Sequence, residues 1–451
     1  MSSAFRSGEK LPSTRALAEQ LGISRTVILL AYDQLLAEGF VVGRLGSGTY
    51  VSSVVQRAST AMVKGSVKVR ISRFGSAAAA AWQRMNYPPR TKTSLPYDFA
   101  LGESDLESFP FEAWRRMLLR RARRAPVSGL DYGPAKGNEA LREAICTHLR
   151  RSRAVVCDPS QVVVVNGSQQ ALDLVARVLV EPGDRVALED PSYQGTREAL
   201  RAAGARLIAV SVDRSGIDPG KISPEARLVF VTPSHQFPTG GILPLGRRLA
   251  LLEWAKRNNA LIIEDDYDGE FRYDGQPFES LQGLDTEGRV VYIGTFSRTI
   301  FSALRIGYLV APKELMQAFA SAKWLSDRQT ATLEQETLAE FISSGIYERY
   351  LQRLRRRNTA RRNALLEAIE KHLKGRVEVT GHEAGGHMVL WPLRKVSEEA
   401  VIQRAATEGV RVYGISGYYV KKNLRTGIIL RCLRMTEVQI REGIRRLSKV
   451  L

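Results

Sequence analysis

The sequence has few cysteines and no pair of them at the spacing that metal sites use. Three cysteines occur among 451 residues, Cys146, Cys157 and Cys432, and none belongs to a Cys-x-x-Cys pair. The five histidines are scattered and supply no metal-ligand spacing either. We therefore expect no structural zinc or other metal site, and a reducing compartment.

Long apolar runs are also missing. The first residues, MSSAFRSGEKLPSTR, lack the apolar region of a signal peptide, and no stretch reaches the ~18 uninterrupted apolar residues of a membrane span. These absences predict a cytoplasmic protein with no membrane partner.

Acidic residues are too few to balance the basic ones. Lys and Arg number 66 against 47 Asp and Glu, a net charge of +19, in an otherwise globular composition. The length predicts roughly two to four domains at about 150 residues each. Such an excess favours an anionic partner such as nucleic acid, a membrane surface or a phosphorylated ligand.

The excess is concentrated between the predicted domains. Residues 1–52 carry five basic and four acidic side chains, whereas residues 53–92 carry eight basic ones and no acidic one. We interpret 53–92 as a basic linker, which is compatible with sequence-independent contact with DNA phosphates.

The first 52 residues predict two helices and a hairpin. Ser13 is placed to cap a helix over Thr14–Leu21, and Ser24 to cap a second over Arg25–Glu38. Strands are expected over Phe40–Gly43 and Thr49–Ser52. This order is typical of a winged helix-turn-helix, whose second helix enters the major groove of DNA, although a small helical cap on a larger domain has the same periodicity.

The run LPSTRALAEQLGISRTVILLAYDQLLAEGFVVGRLGSGTYV resembles the winged-helix DNA-binding domain of GntR-family regulators. The resemblance implies double-stranded DNA as a partner. It also implies a first helix before Gly8; only seven residues precede Gly8, so we expect that helix to be incomplete. The residues that it would bring to DNA are Ser13, Arg15, Ser24, Arg25, Arg44 and Gly46.

Beyond residue 93, short apolar strands alternate with amphipathic helices. This alternation predicts an α/β domain over 93–451 with a mostly parallel sheet, which binds ligands beyond the carboxyl ends of its strands. The predicted elements are strands over Val162–Val165, Arg185–Glu189, Arg206–Val210, Leu228–Val231, Ala260–Glu264 and Val290–Ile293, and helices over Gln169–Leu179, Gln194–Ala203 and Gly246–Arg257.

Two strand ends carry polar groups. The turn Asn166-Gly167-Ser168-Gln169 opens a helix, which suits a phosphate but equally suits an ordinary turn and cap. The acidic run Glu264–Asp268 suits either a hard cation or a carboxylate that binds a protonated heterocyclic nitrogen.

Residues 96–451 resemble a fold-type I aminotransferase domain that depends on pyridoxal 5'-phosphate, with a small C-terminal α+β subdomain. Together with the winged helix, the chain resembles a MocR-type transcriptional regulator. The motifs that carry the resemblance are DYGPAKGNEALREAI, VNGSQQALDLVARVL, EDPSYQGTR, TPSHQFPTGGILPLGRR, IIEDDYDGEF and YIGTFSRTIFSALRIGYLVAP.

The resemblance assigns roles to individual residues. Ser168, Gln169, Thr295 and Arg305 would bind the cofactor phosphate, and Tyr132 would reach the phosphate of a neighbouring subunit. Four more would contact the pyridine ring: Tyr193 by stacking, Asp265 through the ring nitrogen, and Tyr267 and Gln236 through the ring hydroxyl.

One position departs from the family. Within Thr295-Phe296-Ser297-Arg298-Thr299, Arg298 stands where the family has the lysine whose amine bonds the cofactor aldehyde. A guanidinium stays protonated and is no nucleophile, so we expect weakened, non-covalent cofactor binding and little or no transamination. Natural loss of catalysis, a sequence or engineered change, and a switch to another anionic ligand all remain open.

A second departure concerns the arginine that holds a substrate carboxylate in related enzymes. The matching position is Ile429, and Arg431, two residues later on the same strand face, is the candidate replacement. A surface or dimer ion pair is an equal alternative for Arg431.

These observations predict a homodimeric DNA-binding regulator whose aminotransferase-like domain senses a pyridoxal-phosphate-related or amino compound. The alternatives are an aminotransferase with a vestigial DNA-binding module and a non-functional product of gene decay.

Overall fold

The computed structural model describes residues 6–53, 69–85, 95–99, 104–124, 131–273, 279–421 and 425–451. The chain forms two compact units, Met1–Ile71 and Ser72–Leu451. The boundary lies inside the range predicted as a linker, of which 54–68 and 86–92 lie outside the described residues.

The small unit contains the predicted helices and hairpin. Helix α1 spans Thr14–Leu21 and α2 spans Arg25–Ala37, while β1 (Val41–Arg44) pairs antiparallel with β2 (Gly48–Val51). Both helices begin where the caps were expected, and the tight turn between the strands uses the positive φ of Gly46.

The apolar stripe of the second helix is only half buried. Ile28 and Tyr32 are buried, and the Tyr32 hydroxyl donates to the carbonyl of Pro12 at 2.8 Å. Val27 and Leu30 on the same helix are 53% and 65% exposed. The core of the small unit is therefore narrow.

The large unit is an α/β fold, and eight of its strands form one large sheet. Its strands are β3 (Tyr97–Asp98), β4 (Val162–Val165), β5 (Arg185–Asp190), β6 (Arg206–Asp213), β7 (Gly216–Ile217), β8 (Leu228–Val231), β9 (Leu261–Asp266), β10 (Val290–Thr295), β11 (Gly307–Val310), β12 (Val377–Thr380), β13 (His387–Pro392), β14 (Val410–Arg411), β15 (Tyr413–Gly414) and β16 (Ile428–Arg431). Its helices are α3 (Arg73–Arg84), α4 (Phe111–Arg124), α5 (Glu139–Arg153), α6 (Ser168–Leu179), α7 (Gln194–Ala202), α8 (Leu245–Arg257), α9 (Leu281–Leu284), α10 (Met316–Asp327), α11 (Thr332–Ser343), α12 (Ile346–Leu373), α13 (Glu398–Thr407) and α14 (Glu437–Leu447).

The large sheet has the order β4-β11-β10-β9-β8-β5-β6-β7. The five strands from β10 to β6 are parallel, whereas β11 runs antiparallel to both of its neighbours and β7 antiparallel to β6. Alternate valines of β4 enter the hydrophobic clusters on opposite faces, so the sheet is covered on both sides.

A smaller antiparallel sheet, β12-β13-β16-β15, forms the C-terminal α+β part together with α13 and α14. Its apolar face packs against the last half of α12, where Leu365 and Ile369 contact the cluster that contains Met388 and Ile440.

Part of the basic range belongs to the large unit. Helix α3 begins after its cap Ser72, and its Arg84 forms an ion pair with Glu198 at 2.6 Å. Arg177 stacks over the Phe74 ring at 5.1 Å. A solvated tether was expected here, but the five-alanine run favours a helix and supplies a small-residue face, on which Ala81 is buried.

Among the described residues, we find no helix that combines the length and the apolar character needed to cross a membrane.

Candidate functional site

The carboxyl ends of several strands meet at one edge of the large sheet. Gly307, the first residue of β11, pairs with Thr295 at the end of β10 and with Val165 at the end of β4. On β9, Asp265 pairs with Ile293 of β10. This register places the residues that follow β4, β9 and β10 side by side.

One part of this edge is suited to an anion. Gly167, with φ 82°, precedes α6, and no side chain caps the helix. Arg305, itself at φ 52°, donates to the carbonyl of Asn166 at 2.8 Å. A Cβ at position 167 would lie 2.8 Å from the Arg305 guanidinium, and the positive φ of this residue favours glycine. The free N–H groups of Ser168 and Gln169 at the helix start and a guanidinium therefore share one corner, the phosphate corner.

Thr295 is the fourth predicted phosphate residue at this corner. It is buried at the end of β10, where its hydroxyl accepts from the Ser297 N–H at 3.2 Å. The Gln169 side chain donates to the carbonyl of Gly195 at 3.3 Å. The fold thus gathers the four predicted phosphate residues at one strand edge and the adjoining helix start.

Asp265 is a carboxylate that a cationic partner would stabilise. It is buried, and its Oδ1 has no hydrogen-bond partner among the residues that the structure describes. Burial, and then the charge of Asp266, raise the pKa of Asp265 to about 7, while Arg298 opposes the shift. A small cavity bordered by Tyr193, Phe237 and Asp265 brings the predicted stacking residue and the carboxylate together.

The acidic run does not converge on one cation. Asp266 points to the other side of β9, where it pairs with Arg153 at 2.6 Å and accepts from the Tyr292 hydroxyl at 2.6 Å. Asp268 lies beyond the strand and accepts from the N–H of Gly386. Of the two alternatives for this run, the carboxylate at a heterocyclic nitrogen fits the geometry and the shared cation does not.

Tyr267 lies beside Asp265 but already has a partner. Its hydroxyl donates to the carbonyl of His235 at 2.9 Å and lies 3.1 Å from the Nδ1 atom of the same residue. Burial raises the pKa of Tyr267 well above its usual range. The phenol therefore remains neutral.

Gln236 uses its side-chain amide for hydrogen bonds inside the protein, and its contact with a ring hydroxyl stays a prediction. Its amide nitrogen donates to the carbonyls of Pro191 and Phe237, both at 2.8 Å, and its oxygen accepts from the N–H and hydroxyl of Thr239. The nitrogen also reaches Glu189 at 3.2 Å. Through these bonds the residue holds the loop together.

Phe237 is the residue that sequence reasoning missed at this point. Its ring is the centre of an aromatic group, edge-on to Tyr193, Tyr267, His387 and Tyr418 at centroid distances of 6.0, 5.8, 5.5 and 5.0 Å. The motif Phe237-Pro238-Thr239-Gly240 contained the signal, but the contact was assigned to the preceding residue, Gln236.

Arg298 lies among these groups, half-buried. Its guanidinium carbon is 6.0 Å from the centre of the Tyr267 ring, and its charge opposes the rise that burial causes in the pKa of Asp265 and of Tyr267. A permanent cation therefore occupies the neighbourhood in which the family has its lysine.

Arg431, rather than Ile429, faces this neighbourhood. Ile429 is buried in an apolar cluster with Trp391 and Ile415. Arg431 is 3% exposed, and its Nε and Nη2 atoms have no partner within the described part of the chain. Burial, and then the charge of Arg298, lower the pKa of Arg431 to about 10. The surface ion pair considered for this residue is excluded by its burial.

Tyr132, predicted to reach the phosphate of a neighbouring subunit, is an exposed residue. Its ring is 70% exposed, and the Arg328 guanidinium stacks on it at 3.9 Å. Within one chain this residue is part of the surface.

The candidate DNA surface lies on the small unit. Ser13 and Ser24 cap α1 and α2 by accepting from the N–H groups of Ala16 at 3.1 Å and Val27 at 3.4 Å. Arg15 and Arg25 are exposed in the first turns of the two helices. The two wing residues, Arg44 and Gly46, are also exposed, and the Arg44 guanidinium stacks on the Tyr50 ring at 4.6 Å.

Family models match both units. Residues 1–51 match the bacterial regulatory proteins of the gntR family, and residues 97–447 match aminotransferase class I and II. The solved structure of LysN, the alpha-aminoadipate aminotransferase of Thermus thermophilus, is 28% identical with a TM-score of 0.75, covering 84% of this chain and 98% of its own. The large unit thus has the aminotransferase fold.

Full-length relatives combine the same two parts. "Probable rhizopine catabolism regulatory protein MocR" of Rhizobium meliloti is 37% identical over 98% of this chain and 89% of its own length. The "HTH-type pyridoxine biosynthesis transcriptional regulator PdxR" of Corynebacterium glutamicum is 32% identical over 94% of this chain and 86% of its own. The chain therefore belongs to the MocR-type transcriptional regulators, in which a gntR-family DNA-binding domain is joined to an aminotransferase class I and II domain.

Proposed function

We propose that the large unit of this regulator binds pyridoxal phosphate, or a closely related anion, without a covalent bond, and that this binding controls DNA affinity. The observation that carries the proposal is the contrast at the strand edge. The phosphate corner and the buried carboxylate of Asp265 are present, whereas the nucleophilic amine is replaced by the Arg298 guanidinium.

Three groups of the cofactor would be anchored: its phosphate, its ring nitrogen and its aldehyde. The residues present fit the first two. Ser168, Gln169, Thr295 and Arg305 would hold the phosphate, because a helix start and a guanidinium both favour an anion. Asp265 would hold the ring nitrogen protonated, since its unpartnered oxygen needs a cationic donor. When bound, the cofactor supplies an aldehyde and an electron-withdrawing ring.

The third anchoring point does not fit. Arg298 has no free amine at any ordinary pH, so it can neither bond an aldehyde nor carry a proton between two carbon atoms. Its fixed donors can instead hold a carboxylate or phosphate oxygen. The chain thus keeps the binding groups and lacks the group that transamination needs.

Arg431 supplies a second point of recognition for an effector. A buried guanidinium with two unpartnered nitrogens is costly unless an anion pairs with it. The carboxylate of an amino compound has the required geometry, so we assign the effector carboxylate to Arg431. The relative named for pyridoxine biosynthesis supports the other class of effector, a compound related to pyridoxal phosphate.

A homodimer completes the proposal. The exposed ring of Tyr132 is available to reach the phosphate corner of a second copy. Two winged helices in one dimer would recognise two half-sites at a fixed spacing, and a ligand that prefers one arrangement of the dimer would shift DNA affinity.

The first test compares the chain with its Arg298→Lys variant after incubation with pyridoxal phosphate. We expect reversible binding without the visible absorbance of a lysine-bound cofactor in the natural chain. After borohydride reduction and dialysis, the intact mass of the natural chain should be unchanged, whereas Arg298→Lys should retain the mass of the cofactor. Arg257→Lys, at an exposed position on α8, is the matched control.

A cofactor retained by the natural chain after reduction would contradict the non-covalent proposal, and amino transfer to a keto acid would support the enzyme alternative. Footprinting of the chain's own upstream DNA, with and without pyridoxal phosphate, tests the regulatory step. Protection that is identical under both conditions would exclude this effector.

A further inference from the structure

Three metal-ligating side chains from distant parts of the sequence meet inside the large unit. His235 follows β8, Asp268 follows β9, and His387 begins β13. One ligand atom from each lies within 4.8 Å of the others, and the exposed fractions of the three residues are 1%, 1% and 3%. We call these residues the His-Asp-His cluster.

The backbone fixes the orientation of both imidazoles. His235 Nε2 lies 3.3 Å from the carbonyl of Gly381, and His387 Nε2 lies 2.9 Å from the carbonyl of Pro238. A carbonyl only accepts, so each Nε2 carries the hydrogen and each Nδ1 of the neutral ring keeps its lone pair. Metal-binding histidines in proteins commonly show this arrangement, with the second nitrogen donating to a carbonyl.

Asp268 adds an oxygen that lacks a partner. Its Oδ2 lies 3.4 Å from His235 Nδ1 and accepts from the Gly386 N–H at 3.1 Å. Its Oδ1 is buried and has no hydrogen-bond partner among the described residues. A buried carboxylate oxygen in this state is stabilised by a cation or a donor, and this observation is independent of the histidines.

The backbone at position 385 packs closely against His235 only because this residue is glycine. Gly385 has φ 68°, and a Cβ built there would lie 2.1 Å from His235 Nδ1. The ring nitrogen that keeps its lone pair therefore lies against the backbone of Gly385, with the Tyr267 hydroxyl at 3.1 Å and Asp268 Oδ2 at 3.4 Å as its side-chain neighbours.

We propose that His235, Asp268 and His387 bind one divalent transition-metal ion of the zinc class. Two imidazole nitrogens and one carboxylate oxygen are ligands that Zn²⁺ prefers. The 3.4 Å between His235 Nδ1 and Asp268 Oδ2 is close to the separation of two ligands that each lie about 2.0–2.1 Å from one tetrahedral ion. The fourth position is taken by a water or by the Tyr267 hydroxyl, which lies 3.1 Å from the same nitrogen.

This site adjoins the candidate cofactor site, because His387 and Tyr267 both contact Phe237, and it departs from the sequence-based expectation of no metal site. The spacing of the histidines gave no signal, because the three ligands come from three different loops and strand ends. A metal here would stabilise the contact between the loop after β8 and the small sheet, since His387 belongs to the small sheet.

The test uses the full chain without a purification tag and without added pyridoxal phosphate. Zn²⁺ is titrated calorimetrically into chelator-treated protein, and Co²⁺ is used as a spectroscopic probe. We expect about one ion per chain and the visible absorption of four-coordinate Co²⁺. His387→Gln and Asp268→Asn should each weaken Zn²⁺ binding by more than about tenfold.

The matched control is His148→Gln, which removes a buried histidine elsewhere in the large unit. It should bind Zn²⁺ like the natural chain. Circular dichroism checks that each variant folds, and Zn²⁺ should raise the unfolding midpoint of the natural chain but not of a folded Asp268→Asn variant. Absence of stoichiometric binding by the natural chain, or equal affinity in all variants, overturns the proposal and leaves the His-Asp-His cluster as a hydrogen-bonded group.

Discussion

The two units of this chain build their functional surfaces in different ways. In the small unit, every candidate DNA contact lies between Ser13 and Gly46, and each is positioned by a cap or a turn a few residues away. In the large unit, the candidate site joins Gly167, Asp265 and Arg305, which only the sheet register brings together. The first surface depends on local geometry and the second on long-range pairing.

The largest expected effect concerns the buried ion pair between Arg153 and Asp266, which lies at the end of β9. Arg153→Leu would leave Asp266 as an unpaired buried carboxylate, because the 2.6 Å ion pair is almost fully buried. We expect the large unit to lose about 3–5 kcal/mol of unfolding free energy. All five tryptophans lie beyond residue 71, so tryptophan fluorescence in a denaturant titration reports the large unit alone.

The control for this variant is Arg257→Leu, which removes the exposed pair with Glu253 and should shift the midpoint little. If Arg153→Leu shifted it no more than the control does, the long-range pairing would not be what stabilises this edge.

A smaller effect is expected in the core of the small unit. Ile28 is 4% exposed, and Ile28→Ala should cost about 2–4 kcal/mol by leaving a cavity. Hydrogen exchange of residues 6–53 should accelerate and DNA binding should weaken, while the tryptophan transition stays unchanged. Leu30→Ala, at a 65% exposed position on the same helix, is the control. A shifted tryptophan midpoint in Ile28→Ala would show that the two units do not unfold separately.

The smallest effect tests a local cap. Ser24→Ala removes the hydroxyl that accepts from the Val27 N–H, and should cost about 1 kcal/mol of small-unit stability. Exchange at the start of the second helix should increase. Thr26→Ala, an exposed position in the same turn, should leave exchange nearly unchanged. Equal exchange in the two variants would mean that the cap does not define this helix start.

Much of the fold was predictable because its signals are short-range. Strands β4 and β8 have the bounds predicted from their apolar runs, and the two capped helices begin at the predicted residues. Apolar period, caps and glycine turns act within a few residues, so a sequence displays them directly.

The surroundings of the predicted site residues depend on distant neighbours. Gln236 was assigned to a ligand, but Pro191 and Thr239 take up its amide. Arg431 was the candidate replacement for the carboxylate-binding arginine, but its burial and its two unpartnered nitrogens could not be read from the strand alone. No local pattern reports which side chain finds its hydrogen-bond partner in another segment.

The sequence by itself determined the chemistry of Arg298, because the basicity of a guanidinium is a property of the side chain that no ordinary fold reverses. That Arg298 replaces the covalent anchor is a prediction from the family resemblance. It also determined the two-part organisation through its motifs. Only the tertiary structure decided that Asp265 keeps an unpartnered oxygen, that Arg431 is buried, and that the His-Asp-His cluster exists. Burial and convergence depend on the packing of segments far apart in the chain, and that packing sets both the desolvation of each charge and the partners within its reach.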